Sequence, residues 1–363
     1  MNILFLTYQG YPGTGSTYSI AYLARGLADR GHNVYMGCPE ASYLAELLKD
    51  TRVVLEPMVF RNKIDFRNIR HIARFAREKE IDIINAQSSR DRYTSIFARK
   101  LYRVKSKVVH TRRQRPGSIG GSLQNWFYVS GTERIVVNSN QLKLTFIKKG
   151  IPENHLYVIF NGIPPDNFSL IDETFAAELK TKHGLRSDDV VIGCVSRHKK
   201  QYQLIEALTY LPENIKVIFV GIEPGILDDL VREKGIKNEI IYAGIVDKKT
   251  VMNYYRLFDV MVLPSVTEGF GLVLVEAMGA GTPVIGTRAA GIIDVLDEQK
   301  NGLWYENENS KELADKIRQV LEDSGLRNRL IENGRKAATG RFSIDQTVVN
   351  YEQFFESLIS LIP

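Results

Sequence analysis

The feature that most narrows the possible folds is an alternation, run through twice, of short apolar segments with amphipathic helical ones. In the first half "NILFLTY", "HNVYMGC", "IDIINAQ", "KVVHT" and "ERIVVNS" read as strands, and stretches such as "TYSIAYLARGLADRG" carry helical spacing between them. Strands apolar along nearly their whole length are buried on both faces, which suits a parallel sheet flanked by helices. The turn-rich "FNGIPPDNF" (160–168) interrupts the series, because consecutive prolines cannot continue a helix. The alternation restarts with "DVVIGCVS", "IKVIFVG", "EIIYAG", "DVMVLPS" and "PVIGT". At 363 residues the chain is too long for one core. These observations predict an α/β protein of two doubly wound domains, with the break between them at 164/165.

Composition excludes several classes. With 44% hydrophobic and 25% charged residues the chain is of the globular type. Its two cysteines, Cys38 and Cys194, lie far apart in apolar segments. That excludes a disulfide framework or a Cys-rich metal site and suits a reducing compartment. "MNILFLTYQG" has no basic stretch ahead of its apolar residues and reads as a first strand rather than a signal peptide. No apolar run approaches the roughly 18 residues of a membrane span. An intracellular, cytoplasmic protein is expected.

The net charge of +6 hides an asymmetry: Arg61 to Arg115 contain seventeen Lys and Arg against five Asp and Glu. Within it, "FRNIRHIARFAREK" places Phe66, Ile69, Ile72, Ala73 and Ala76 on one helical face and Arg70, Arg74 and Arg77 on another. Such an excess suits an anionic partner, whether nucleic acid, a membrane surface or a phosphorylated substrate. A solvated surface without a partner is the plain alternative. No nucleic-acid recognition motif accompanies the charge, so nucleic acid is not expected.

The segment richest in chemistry is "TEGFGLVLVEAMGAGTPVIG" (267–286), with seven residues between Glu268 and Glu276. It follows the strand "DVMVLPS" at the sheet edge where ligands of open α/β sheets bind. If a helix starts near Gly271, the N–H groups of its first turn face the ligand with partial positive charge and form an anion site. Gly269 and Gly271 permit the close backbone approach this needs. Glu276 would lie about 7.5 Å along the helix axis. There its carboxylate could accept two hydroxyls of a ribose, with Glu268 serving a second sugar. On spacing alone, "LVLVE" fits a buried strand with two merely exposed glutamates equally well.

The residues "EGFGLVLVEAMGAGTPVIGTRAAGIIDVLDEQKNGLWY" resemble the donor-site signature of the retaining glycosyltransferases of family 4, which have the GT-B fold. "GSTYSIAYLARGLADRGHNV", "IVVNSNQLKLTFIKKGIPENHLYVIFNGI" and the terminal "RFSIDQTVVNYEQFFE" also resemble family segments, so the likeness spans nearly the whole chain. The resemblance implies two Rossmann-like domains facing each other across a cleft, the donor held mainly by the second. It implies that the last helix, 345–363, crosses back to the first Rossmann-like domain, 1–164, and that the second is 165–344. Glu276 takes the place of the family's ribose-binding glutamate, and Glu268 that of the glutamate at the donor sugar.

Other positions follow from the same likeness. "VSRHKKQYQLIEAL" offers Arg197 with Lys199 or Lys200 to the donor diphosphate; Lys199 aligns with the family lysine, after a shorter loop. Phe270, Leu272 and Val273 complete the signature loop, and the base would be read near Gly244, Ile245 and Val246. Gly13 and Gly15 would close over the donor phosphates; read alone they form a weak dinucleotide fingerprint, with Tyr18 at its third glycine and Glu40 as a ribose acid. That keeps a nicotinamide-dependent oxidoreductase as the reading from another class. Where many relatives carry a His near the donor sugar, "HTRRQRPG" puts Arg113, with His110 three residues earlier. Ser88, Ser89, Arg90 and Asp91 resemble a segment lining the acceptor side.

No Asp-x-Asp pair or His-Glu-x-x-His spacing occurs, and neither a cofactor nor a metal is expected. Arg, Lys and helix N–H groups would stabilise the departing diphosphate. The expected activity is retaining, metal-independent transfer of a hexose from a nucleotide-sugar to a carbohydrate or lipid-linked acceptor. The catalytic candidates are Glu268, Arg197, Lys199 and Arg113. A partner-binding protein that keeps the fold without turnover is the remaining alternative.

Overall fold

The structure, a computed structural model, describes residues 1–8, 15–114 and 121–360. The chain forms two compact units: Met1–Gly162 with Ile344–Pro363, and Ile163–Ser343.

The first unit is built on seven strands: β1 (Asn2–Leu6), β2 (Asn33–Cys38), β3 (Val54–Pro57), β4 (Ile83–Ala86), β5 (Lys107–Arg112), β6 (Arg134–Val137) and β7 (Leu156–Val158). Their spatial order is β3-β2-β1-β4-β5-β6-β7, with every neighbouring pair parallel. The second unit repeats the plan with β8 (Val190–Val195), β9 (Ile215–Val220), β10 (Ile240–Gly244), β11 (Val260–Leu263), β12 (Val284–Thr287) and β13 (Leu303–Tyr305), in the order β10-β9-β8-β11-β12-β13. Both sheets are doubly wound, and in both the winding reverses once, between β1 and β4 and between β8 and β11.

The predicted strands all form. The three that the sequence pattern did not mark, β3, β7 and β13, are sheet edges of three or four residues. β3 and β7 are partly open to solvent, which weakens their apolar signal: Val54 is 52% exposed and Tyr157 46%; β13 is buried but only three residues long. The helix Phe66–Glu78 buries Ile69, Ile72, Ala73 and Ala76 as expected. Phe66 departs from its predicted face: it opens the first turn, is 68% exposed, and lies outside the cluster that Ile69, Ile72, Ala73 and Ala76 form with Leu4 and Leu6 of β1 and Ile84 of β4.

The terminal helix Ile344–Ser360 belongs to the first unit. Its Val348, Tyr351, Phe354, Phe355 and Leu358 enter one core cluster with Ile3 and Phe5 of β1 and Leu23 and Leu27 of the helix Gly15–Asp29. The two helices meet where Gly26 lacks a side chain; a Cβ there would fall 2.4 Å from Val348. Tyr351 also places its hydroxyl 3.3 Å from Thr111 of β5. Phe355→Ala is therefore expected to destabilise the protein by about 3–5 kcal/mol in denaturant unfolding. The neighbouring exposed Glu356→Ala should change stability by no more than about 0.5 kcal/mol. Equal effects would mean that this helix does not complete the core.

Candidate functional site

In a doubly wound sheet the loops leaving the carboxyl ends of the two central strands run apart and leave a crevice. In the second unit those loops follow β8 and β11. After β8, buried Gln201 holds the short turn: its Oε1 accepts from the Lys199 amide at 2.6 Å, and its Nε2 donates to Ser196 Oγ (2.8 Å) and to the Arg197 carbonyl (2.9 Å). Across the crevice stands the loop after β11, and Lys199 Nζ pairs with Glu268 Oε1. Burial, and then neighbouring Arg197, push the Lys199 ammonium down to about 8. Lys200 turns away, bonding Glu308 and lying 3.3 Å from the Tyr202 hydroxyl. Arg197 itself is exposed. The structure thus brings Lys199 to Glu268 and sends Lys200 elsewhere.

The loop carrying Glu268 is fixed by backbone packing. The Gly291 amide donates to the Glu268 carbonyl at 3.1 Å, and a Cβ on Gly291 would fall 2.3 Å from the Gly269 carbonyl oxygen. Phe270 is buried edge-on against Phe342, with ring centroids 5.5 Å apart. Gly271 then turns the chain with φ +94°, a left-handed conformation open mainly to glycine, and the helix Leu272–Ala280 begins. "LVLVE" is therefore helical, and its alternative reading as a strand falls. The helix is apolar around its circumference because it is buried, which is why its spacing could not distinguish helix from strand.

Glu276 sits on this helix with 7% of its surface exposed. Such a carboxylate needs partners. It has two: Lys248 Nζ pairs with Oε1, and the Tyr255 hydroxyl donates to Oε2 at 3.1 Å. Burial and then Glu276 hold the Tyr255 hydroxyl well above its ordinary value. Sequence reasoning missed Lys248 and Tyr255. Strand β11 and the signature loop separate them from Glu276 in sequence, and no local spacing signals the contact. Of the expected base-reading residues, Gly244 ends β10 with φ +68°, Ile245 is 76% exposed and Val246 is half-buried. Leu272 and Val273 in the first helical turn are half-buried.

In the first unit the corresponding crevice, at the ends of β1, β4 and β5, is a cavity of about 340 Å³. Ser88, Ser89 and Arg113 line it, together with Arg92, Arg112 and Gln87, which sequence reasoning did not select. Ser88 Oγ lies 2.7 Å from Thr7 Oγ1. Asp91 does not line the cavity: its Oδ2 accepts the amides of Gln87 (2.8 Å) and Ser88 (2.7 Å) and caps the helix Ser89–Tyr102. Burial raises Asp91 to about 6. Arg90 is also outside, donating to the Phe60 carbonyl at 2.8 Å and stacking on Tyr8. His110 is a buried residue of β5, and burial, then Arg92, lower it far below its ordinary value, so its ring is neutral. Gly15 opens its helix as an exposed residue, and Gly13 lies outside the described residues.

The packing at Gly291 gives a direct check. Gly291→Ala is expected to cost about 1–3 kcal/mol in denaturant unfolding, by forcing the Glu268–Gly269 backbone aside. Stability equal to the parent's would show that this contact does not fix the loop.

Comparison with known proteins fits both halves. Residues 13–167 match the Glycosyltransferase Family 4 model and residues 176–337 the Glycosyl transferases group 1 model. A glycosyltransferase of Methanocaldococcus jannaschii is 31% identical over 202 residues, covering 53% of this chain and 52% of that one. The N-acetyl-alpha-D-glucosaminyl L-malate synthase of Bacillus anthracis is 23% identical over 373 residues, covering 96% of each. The chain spans about half the length of several of the curated relatives it matches. Anabaena HepE, solved with UDP, superposes with a TM-score of 0.81 at 23% identity, covering 99% of this chain and 100% of that one, which shows the fold. With two Rossmann-like parallel-sheet units of the GT-B type and a match to a family model in each half, the chain belongs to the group 1 glycosyltransferases of the family 4 type.

Proposed function

We propose that this protein is a retaining, metal-independent glycosyltransferase that moves a hexose from a nucleoside diphosphate-sugar to an acceptor hydroxyl. The observation that carries the reading is the pair of glutamates around one helix N-terminus, Glu268 before it with Lys199 and Glu276 within it. The order along this segment suits the order of the donor: sugar at Glu268, diphosphate at the helix N-terminus with Lys199 and Arg197, ribose at Glu276. Glu276 is already held as an acceptor of two hydrogen bonds, from Lys248 and Tyr255, and two ribose hydroxyls offer the same pattern.

Lys199, Arg197 and the first-turn N–H groups stabilise charge on the leaving diphosphate. That diphosphate takes the acceptor's proton as the sugar is transferred on the same face, so no side chain need act as base. The neutral, buried His110 is consistent with that division of labour. The UDP-bound Anabaena structure supports UDP as the donor nucleotide. A role in surface polysaccharide or glycolipid assembly suits the exposed arginines of the helix Phe66–Glu78, namely Arg67, Arg70, Arg74 and Arg77, which can meet an anionic membrane. No helix of the described residues is long and apolar enough to cross a membrane.

Turnover, read as UDP or GDP released from a panel of nucleotide-sugars, is expected to persist in EDTA. Glu276→Ala should weaken UDP binding about 10- to 100-fold by removing hydrogen bonds to a charged acceptor. Parent-like binding would remove Glu276 from the donor site. The same titration carries a pH signature. The charged Lys199 ammonium attracts the diphosphate, and it is lost as pH rises through about 8. The parent's Kd should therefore rise above that pH, by up to about tenfold per unit, while Lys199→Arg stays flat. For the membrane contact, vesicles with anionic lipid should sediment the protein and neutral vesicles should not; equal sedimentation contradicts it.

A further inference from the structure

The cavity of the first unit holds more positive charge than its own residues neutralise. Three guanidinium groups line it, those of Arg92, Arg112 and Arg113, and no Asp or Glu is among the lining residues described. Arg92 is 8% exposed and Arg113 9%. Asp91 stands beside Arg92, but its bonded oxygen is committed to the amides of Gln87 and Ser88.

The hydrogen bonds within the cavity wall are also incomplete. Arg92 Nε donates to the Ser88 carbonyl, yet its Nη1 has no partner. Arg113 Nη1 donates to Gln87 Oε1, yet its Nε has none, and Gln87 Nε2 is likewise unpaired. Arg112 stacks on Phe146 with its guanidinium carbon 4.8 Å from the ring centroid. Burial, and then Arg92, push Arg112 below its ordinary value, so the cluster bears like-charge strain. Buried donors without acceptors and crowded cations are costly unless something supplies negative oxygens.

We propose that this cavity binds an oxyanion, a phosphate or carboxylate group, carried by the acceptor, with Arg92, Arg112 and Arg113 as its counter-charges. Assigning the oxyanion to the acceptor rests on the glycosyltransferase reading above; binding of the oxyanion itself does not. A planar guanidinium meets such a group with two parallel N–H bonds, which a lone ammonium cannot do. The position where many family members carry a His holds Arg113 here, and the cavity gives that arginine an anion to hold.

Calorimetric titration of the full chain with inorganic phosphate, malonate and neutral glycerol tests this, with UDP titrated in parallel. Phosphate and malonate are expected to bind and glycerol not. Arg112→Gln and Arg113→Gln should each weaken phosphate binding about tenfold or more, and Arg112→Gln should leave the UDP affinity unchanged. Variants that keep both the UDP and the phosphate affinities of the parent overturn the proposal. Arginine-dependent phosphate binding in a protein that binds neither UDP nor GDP would uphold the cavity and sink the donor reading instead.

If the glutamine variants do not fold, parent crystals soaked in selenate give the answer. An anomalous peak within hydrogen-bond reach of Arg92 and Arg113 supports the site, and an empty cavity at saturating selenate overturns it. Two further arms separate the sources. Glycerol 3-phosphate competing with inorganic phosphate marks a soluble acceptor. Arginine-dependent binding of phosphatidylcholine vesicles containing phosphatidic acid marks a lipid headgroup.

Discussion

The reversal of winding in each parallel sheet is the constraint on which the rest depends. Right-handed crossovers place helices on one face while strands are added in one direction, and on the other face when the direction changes. Between β1 and β4, and again between β8 and β11, the departing loops must separate, and nothing of the sheet fills the gap. Arg92, Arg112 and Arg113 line the first gap, and Lys199 meets Glu268 across the second. The second unit answers its gap with ion pairs, Lys199 to Glu268 and Lys248 to Glu276. The first unit answers it with arginines and no facing carboxylate.

This difference bears on how each half works. A carboxylate already paired with an ammonium gives up one partner when it accepts a hydroxyl, so its binding is an exchange. Glu276 keeps Tyr255 within reach at 3.1 Å whichever partner takes its other oxygen. The arginines of the first unit exchange nothing, since their open N–H groups have no partner to lose. Binding there relieves strain rather than trading contacts.

How much of this was legible in the sequence depended on where a residue sat. Central strands advertise themselves because both faces are covered, so β1, β4, β8 and β11 were plain. The edges β3 and β7 were not, being short and partly open to solvent, nor was β13, which is buried but only three residues long. The helix Leu272–Ala280 was ambiguous for the opposite reason, buried all round, and only the left-handed Gly271 settles its start. Glu276 could be recognised as a carboxylate in need of a partner, but Lys248 and Tyr255 come to it through tertiary packing. The arginine excess was countable, yet sequence alone did not separate the exposed Arg70 and Arg74 from the buried Arg92 and Arg113. Asp91 was expected on the acceptor side because its segment resembles one that lines it; it caps a helix instead.

The central claim is that the diphosphate of a nucleotide-sugar seats at the N-terminus of the helix Leu272–Ala280 and that Glu276 holds its ribose. A crystal structure of the protein with bound UDP tests it most directly. The account predicts the Glu276 carboxylate bonded to the ribose hydroxyls, the Lys248 contact exchanged, and phosphate oxygens at the first-turn amides and Lys199. Glu276 still joined to Lys248 with UDP bound elsewhere would contradict it.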